Sequence, residues 1–136
     1  MARRVYFAFD YLDVFAVNQI RRSGQFVDVS VAGFTDASQW EKLKRKDDAV
    51  IRRAIDTALK NTSVTVVCIG PRTASRRWVK YELQASAARG NGLLGVYLPG
   101  TSGYPIPKAL LDARAPVHQW NPKRFAVRVE SAAPRR

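Results

Sequence analysis

Apolar and polar positions along the chain switch repeatedly between the period of a strand and the period of a helix. Val5 to Phe9 is a short apolar run closing on Asp10, the pattern of a buried strand. Asp13 is placed to cap a helix carrying Val14, Phe15, Val17 and Ile20, which Ser23-Gly24 would stop. Phe26 to Phe34 reads as a second strand, and Ser38 with Glu41 has the spacing of a capping box for a short helix. Asp47-Asp48 open a clearer helix in which Val50/Ile51, Ala54/Ile55 and Ala58/Leu59 recur every four residues, with Asn61 as its expected end. Val64 to Ile69, β-branched almost throughout, is the strongest strand and stops at Gly70-Pro71. Ser75 is the expected cap of a helix from about Arg76 to Ala88, ended by Gly90. Leu93 to Leu98 and Pro116 to Trp120 supply two more strands around a Gly/Pro loop and one helical turn at Ala109 to Leu111. Asn121-Pro122 predicts a last helix from about residue 121 to near Ala133, before a short basic tail.

About five strands alternating with helices predict an α/β domain, doubly wound in the flavodoxin-like manner, with a mainly five-stranded parallel sheet in the order 2-1-3-4-5. Such sheets bind ligands at the carboxyl ends of their strands, beside the switch point next to the first strand. That places a candidate site at Phe9-Asp10-Tyr11 and along Gly70 to Glu82.

Composition fits one domain spanning 1–136: the chain has 136 residues, 46% hydrophobic and 25% charged. Neither a secretory signal nor a membrane-length apolar run is visible, so a cytoplasmic protein without a membrane partner is expected. The net charge of +12 suits an anionic ligand, but the basic residues are scattered and no aromatic-basic motif accompanies them. Specific nucleic-acid binding is not expected. One cysteine (Cys68) and one histidine (His118) leave no material for a zinc cluster or a histidine-dependent relay. No metal is expected.

Several tenants of this fold are excluded by their missing chemistry. The first strand leads into Asp10-Tyr11-Leu12-Asp13, not a phosphate-cradling loop; the third leads into Gly70-Pro71-Arg72, with no phosphoacceptor aspartate; and no Gly-rich nucleotide fingerprint is present. What remains is Ser75-Arg76-Arg77-Trp78-Val79-Lys80-Tyr81-Glu82. At about 100° per residue, Glu82 lies roughly 40° from Trp78 and one turn further along. A carboxylate beside an aromatic wall is suited to the oxocarbenium-like charge of a breaking glycosidic bond. From spacing alone the plainer reading is a surface glutamate paired with Lys80 or Arg76, beside a half-buried tryptophan.

The stretches Val5 to Tyr11, Gly33 to Glu41 and Thr62 to Glu82, with Thr73 to Glu82 the most specific, resemble the TIR-like family that includes the NAD-cleaving sensor of the bacterial Thoeris antiphage defence system. Gly90 to Gly95 adds to the resemblance, which covers roughly residues 4–120. TIR domains carry a tryptophan with a catalytic glutamate four residues later, so the resemblance implies that Glu82 is catalytic beside Trp78. The serine that many TIR domains carry on the first strand is Ala8 here.

The resemblance implies an NAD glycohydrolase or ADP-ribosyl cyclase, with NAD as substrate and no cofactor. It further implies a cyclic ADP-ribose-type product that signals to a separate effector protein, self-association, and a phage trigger. Around Glu82, Phe9 is either core or a stacking surface for nicotinamide or adenine. Asp10 either caps the next turn or orients a ribose hydroxyl. Asp36 and Trp40 fall where TIR domains have a mobile loop over the site, and Arg76 and Arg77 are either solvated or ligands of the pyrophosphate. The rival readings are a non-catalytic TIR-like interaction module and, more distantly, a nucleoside deoxyribosyltransferase, whose Asp-Gly substrate motif is missing.

Overall fold

The computed structural model describes residues 3–21, 29–32, 42–43, 45–100 and 103–134. Strand β1 (Arg3–Phe9) is followed by a 3-10 turn (Tyr11–Asp13) and helix α1 (Val14–Arg21), then by β2 (Val29–Ala32). Helix α2 (Asp48–Leu59) precedes β3 (Val64–Ile69), and a second 3-10 turn (Thr73–Ser75) leads into α3 (Arg77–Ala88). Strand β4 (Gly92–Tyr97), the short α4 (Lys108–Asp112), β5 (Val117–Gln119) and α5 (Phe125–Ala132) complete the order. No helix among the described residues is long and apolar enough to cross a membrane.

The strands form one sheet in the order β2-β1-β3-β4-β5, and every pairing is parallel. The register sets Phe9 beside Cys68 and Ile69 beside Tyr97, so β1, β3 and β4 end at one edge. Alternation along the strands divides the core into two layers. Val5, Phe7, Val66, Cys68, Leu94 and Val96 pack with Val17 and Ile20 of α1 and with Phe125 and Val129 of α5. Tyr6, Ala8, Val67, Ile69 and Leu93 face the other way, onto α2, α3 and α4 through Ile51, Ile55, Leu59, Val79, Leu83 and Leu110. Every residue of β3 is buried, as expected of a central strand covered on both faces. The α/β reading with a parallel sheet is therefore what the chain adopts.

Helix ends follow local chemistry. Asn61 takes the left-handed conformation (φ 66°) two residues after α2, the stop its side chain tolerates. After α3, Gly90 (φ 82°) donates its N–H to the Ala87 carbonyl, and Asn91 donates to Ser86, the paired bonds of a Schellman end. Four expectations need correction or fall partly or wholly outside the described residues. Helix α3 is capped by the backbone of Arg76, not by Ser75, whose hydroxyl is spent on the Arg72 carbonyl at 2.9 Å. The final helix starts at Phe125 and not near residue 121, because the Asn121 side chain takes the Lys123 N–H at 3.0 Å and closes a separate turn. The second strand is described only over Val29–Ala32, and the short helix expected from Ser38 lies outside the described residues.

Candidate functional site

The carboxyl end of β1, the start of α2 and the first turns of α3 enclose a cleft of about 430 Å³, within the usual range for small-molecule sites. Phe9, Asp10 and Tyr11 come from the end of β1; Asp48 and Ile51 from α2; Ser75 and Arg76 from the turn that leads into α3; and Arg77 to Val79, with Glu82, from α3 itself. A second cleft of about 480 Å³ lies along α3 and α4, but no buried carboxylate lines it. Chemistry, not size, selects the first.

Glu82 is the floor of this cleft. It is only 6% exposed, so the surface-glutamate reading does not describe it. Its Oε2 accepts a hydrogen bond from the hydroxyl of Tyr6, a fully buried residue of β1 that points to the same layer as α3. Burial pushes the Glu82 carboxyl up to about 8, against the Tyr6 hydrogen bond and the positive charge of Arg21, which both pull it down. Burial and the neighbouring Glu82 carboxyl push the Tyr6 phenol well above its ordinary range, so it remains a donor.

The backbone of Glu82 is fixed from below. Ser86, one turn on, donates its hydroxyl to the Glu82 carbonyl at 2.7 Å and lies 2.7 Å from the hydroxyl of Thr65 on β3. With the serine hydrogen spent on the carbonyl, Thr65 must be the donor to Ser86. Asn91 then donates to the hydroxyls of Thr62 (2.9 Å) and Thr65 (3.4 Å), and Thr62 donates to the Leu59 carbonyl at 2.6 Å. Each hydroxyl hydrogen of this buried chain has an acceptor, as a satisfied network inside a core requires.

Trp78 stands one turn before Glu82, half-buried, with its ring edge-on to Tyr81 at 5.8 Å and the Arg77 guanidinium over it at 4.7 Å. Arg77 itself is ion-paired with Asp48 of α2, so α2 and α3 are tied together at the rim. Asp10, 3% exposed, places no side-chain cap on the turn that follows it. Its carboxylate instead accepts a hydrogen bond from Arg72 Nε at 3.2 Å on Oδ2 and is ion-paired with Arg76, whose Nε lies 3.4 Å from Oδ1. Gly70 lets the chain leave β3 close to α1: a Cβ there would fall 2.3 Å from Asp13 Oδ2. That oxygen is buried without a hydrogen-bond partner, and burial together with Asp10 pushes the Asp13 carboxyl upward.

The structure thus brings Phe9, Asp10, Arg77, Trp78 and Glu82 to one cleft. Asp36 and Trp40 lie outside the described residues. His118 is on β5, away from the cleft lining, with its imidazole pushed down by partial burial and by Arg128. Sequence reasoning did not single out Tyr6, Asp48, Arg72 or the Thr65–Ser86 chain. A signal existed for Tyr6: period two along β1 puts it on the same face as Ala8, and a buried tyrosine hydroxyl needs a partner.

A family model described as "Thoeris protein ThsB, TIR-like domain" matches residues 6–103. A curated relative from Bacillus cereus (strain MSX-D12), described as "Putative cyclic ADP-D-ribose synthase ThsB1", is 45% identical over 101 residues. The match takes in 72% of this chain and 53% of that protein, so the chain spans about half the length of the relative.

Proposed function

The chain belongs to the TIR-like domain family of the Thoeris protein ThsB, and on that premise we propose that it cleaves the nicotinamide–ribose bond of NAD and releases a cyclic ADP-ribose-type nucleotide or ADP-ribose. The observation that carries the reading is the buried carboxyl of Glu82, held by Tyr6 at the floor of a cleft walled by Phe9 and Trp78.

The C–N bond breaks with its electron pair leaving on the nicotinamide nitrogen, which departs neutral and leaves positive charge on the ribose. An ionised Glu82 stabilises that charge, and a partly dry cleft strengthens the attraction. The ribose carbon is then captured either by water, giving ADP-ribose, or by a second nucleophile of the same molecule, giving the cyclic product. The nucleophile's proton leaves in the same step. Phe9 and Trp78 offer faces for the flat rings, and Asp10 and Arg77 line the cleft between them. A carboxyl pushed up to about 8 is largely neutral at neutral pH, and the cationic nicotinamide ring of bound NAD favours its ionised form. In this reading the product signals to a separate effector after a phage trigger, as the resemblance to the Thoeris sensor implies.

The test is NAD consumption with product chromatography, comparing wild type with Glu82→Gln, both as purified protein and in phage-triggered cells. Gln keeps the size and the acceptor for Tyr6 but cannot carry the charge. Turnover falling on the order of a hundredfold or more is expected. Wild-type rates in the variant overturn the assignment.

A further inference from the structure

We propose that a diphosphate binds at the rim of the cleft on a pair of arginines, Arg76 of the lining and Arg72 just outside it, both held by Asp10. Asp10 is buried, yet it engages each arginine only through Nε, one on each carboxylate oxygen: a hydrogen bond from Arg72 and an ion pair with Arg76. A guanidinium has five N–H donors, so each arginine keeps its four Nη–H groups, and none of these has a partner among the described residues. Both side chains remain 48% and 44% exposed, so the unspent donors are open to a ligand. One buried carboxylate under two cations leaves the trio with a net positive charge at the end of β1. Two forks oriented in advance are the geometry that binds the oxygens of a phosphate pair.

Arg77 is the less suitable candidate, because its guanidinium is already occupied by Asp48 and by the face of Trp78. The cleft is therefore bipolar, with a carboxyl at Glu82 and unspent cations at Arg76, both of which line it. A ligand with an anionic bridge and a cationic ring matches both ends. This inference rests on the proposed reaction for the dinucleotide as ligand, but the arginine pair alone defines the chemistry it takes, a diphosphate ester.

The experiment is isothermal titration of the full chain with ADP, which has no nicotinamide bond to break, with adenosine and inorganic diphosphate as companions. ADP is expected to bind, adenosine to bind at least about tenfold more weakly, and inorganic diphosphate to compete with ADP. Arg72→Gln and Arg76→Gln should each lower ADP affinity about tenfold, the loss expected for charge-assisted bonds. Arg53→Gln removes the same charge from an exposed position of α2 outside the cleft and should change affinity less than about twofold. If a glutamine variant fails to fold, Arg76→Lys keeps a cation for Asp10 but loses the fork, and should still weaken ADP several-fold. No ADP binding by the wild type, or losses in the Arg72 and Arg76 variants no larger than in Arg53→Gln, overturns the proposal. NAD turnover by a wild type whose ADP affinity ignores Arg72 and Arg76 overturns this site alone. ADP binding that depends on both arginines, without NAD turnover, overturns the proposed reaction and leaves the site standing.

Discussion

Replacing Glu82 by Gln should change how stability depends on pH, and this effect is separable from catalysis. The carboxyl sits at about 8 in the folded chain against an ordinary value of 4.5, because burial disfavours its charge. Between those values the native state binds more protons at this position than the unfolded chain does. Its contribution to stability is therefore intact below 4.5 and is progressively lost as pH rises toward about 8. Glutamine has no such slope. Other titrating groups, including Asp13 and His118, contribute equally to both proteins and cancel in the difference. At about 1.4 kcal/mol per pH unit, Glu82→Gln should gain about 3 kcal/mol on wild type between roughly pH 5 and pH 8. Urea unfolding followed by tryptophan fluorescence at both pH values measures this directly, since the Tyr6 hydrogen bond has an acceptor in either protein. Parallel stability curves, or a gain running the opposite way, would show that Glu82 is not held in a charge-disfavouring site.

Tyr6→Phe removes the bond that holds the Glu82 carboxyl down, so the acidic limb of NAD turnover, where the rate rises as Glu82 ionises, should move to higher pH; an unmoved limb with a lower rate throughout would refute the coupling. Gly92→Ala puts a Cβ 1.7 Å from the Ala132 carbonyl oxygen of α5, and should destabilise by about 2–3 kcal/mol in denaturant unfolding. Gly90→Ala, strained by its φ of 82° but facing open space, should cost only about 1 kcal/mol by the same measurement; equal losses would contradict the packing of α5 on β4. Self-association, expected from the family, is checked by light scattering at physiological salt with and without an NAD analogue; a strict monomer in both removes it.

The elements with a strong local period were legible from the chain alone. β3 is uninterruptedly apolar or β-branched, and α2 repeats its apolar pairs every four residues up to a left-handed Asn61. Errors arose where a side chain had two local partners to choose from. Ser75 chose a carbonyl three residues back, and Asn121 closed its own turn instead of opening α5. At the site, the Trp78–Glu82 spacing lies within one helix and could be read, as could the strand ends. The supports of those residues could not. Tyr6 meets Glu82 from 76 residues away, and Arg72 meets Asp10 from 62, and no local pattern encodes a hydrogen bond between segments so far apart. The same distance hid the burial of Glu82, which changes its protonation and not merely its place.

Cys68, fully buried in the central strand with its thiol pushed up to about 12, gives this molecule an internal clock. It is the single cysteine of the chain, and alkylating reagents attack the thiolate, so the closed native state offers them almost no target. Labelling must wait until β3 parts from its neighbours, an event near the full unfolding free energy. The rate at which a thiol reagent marks the protein therefore counts openings of the sheet's centre, one molecule at a time and without any enzymatic readout. A ligand seated at the strand ends should slow that count in proportion to its occupancy, so nucleotide binding becomes visible as a lengthened wait at a residue on the opposite face of the sheet from Glu82.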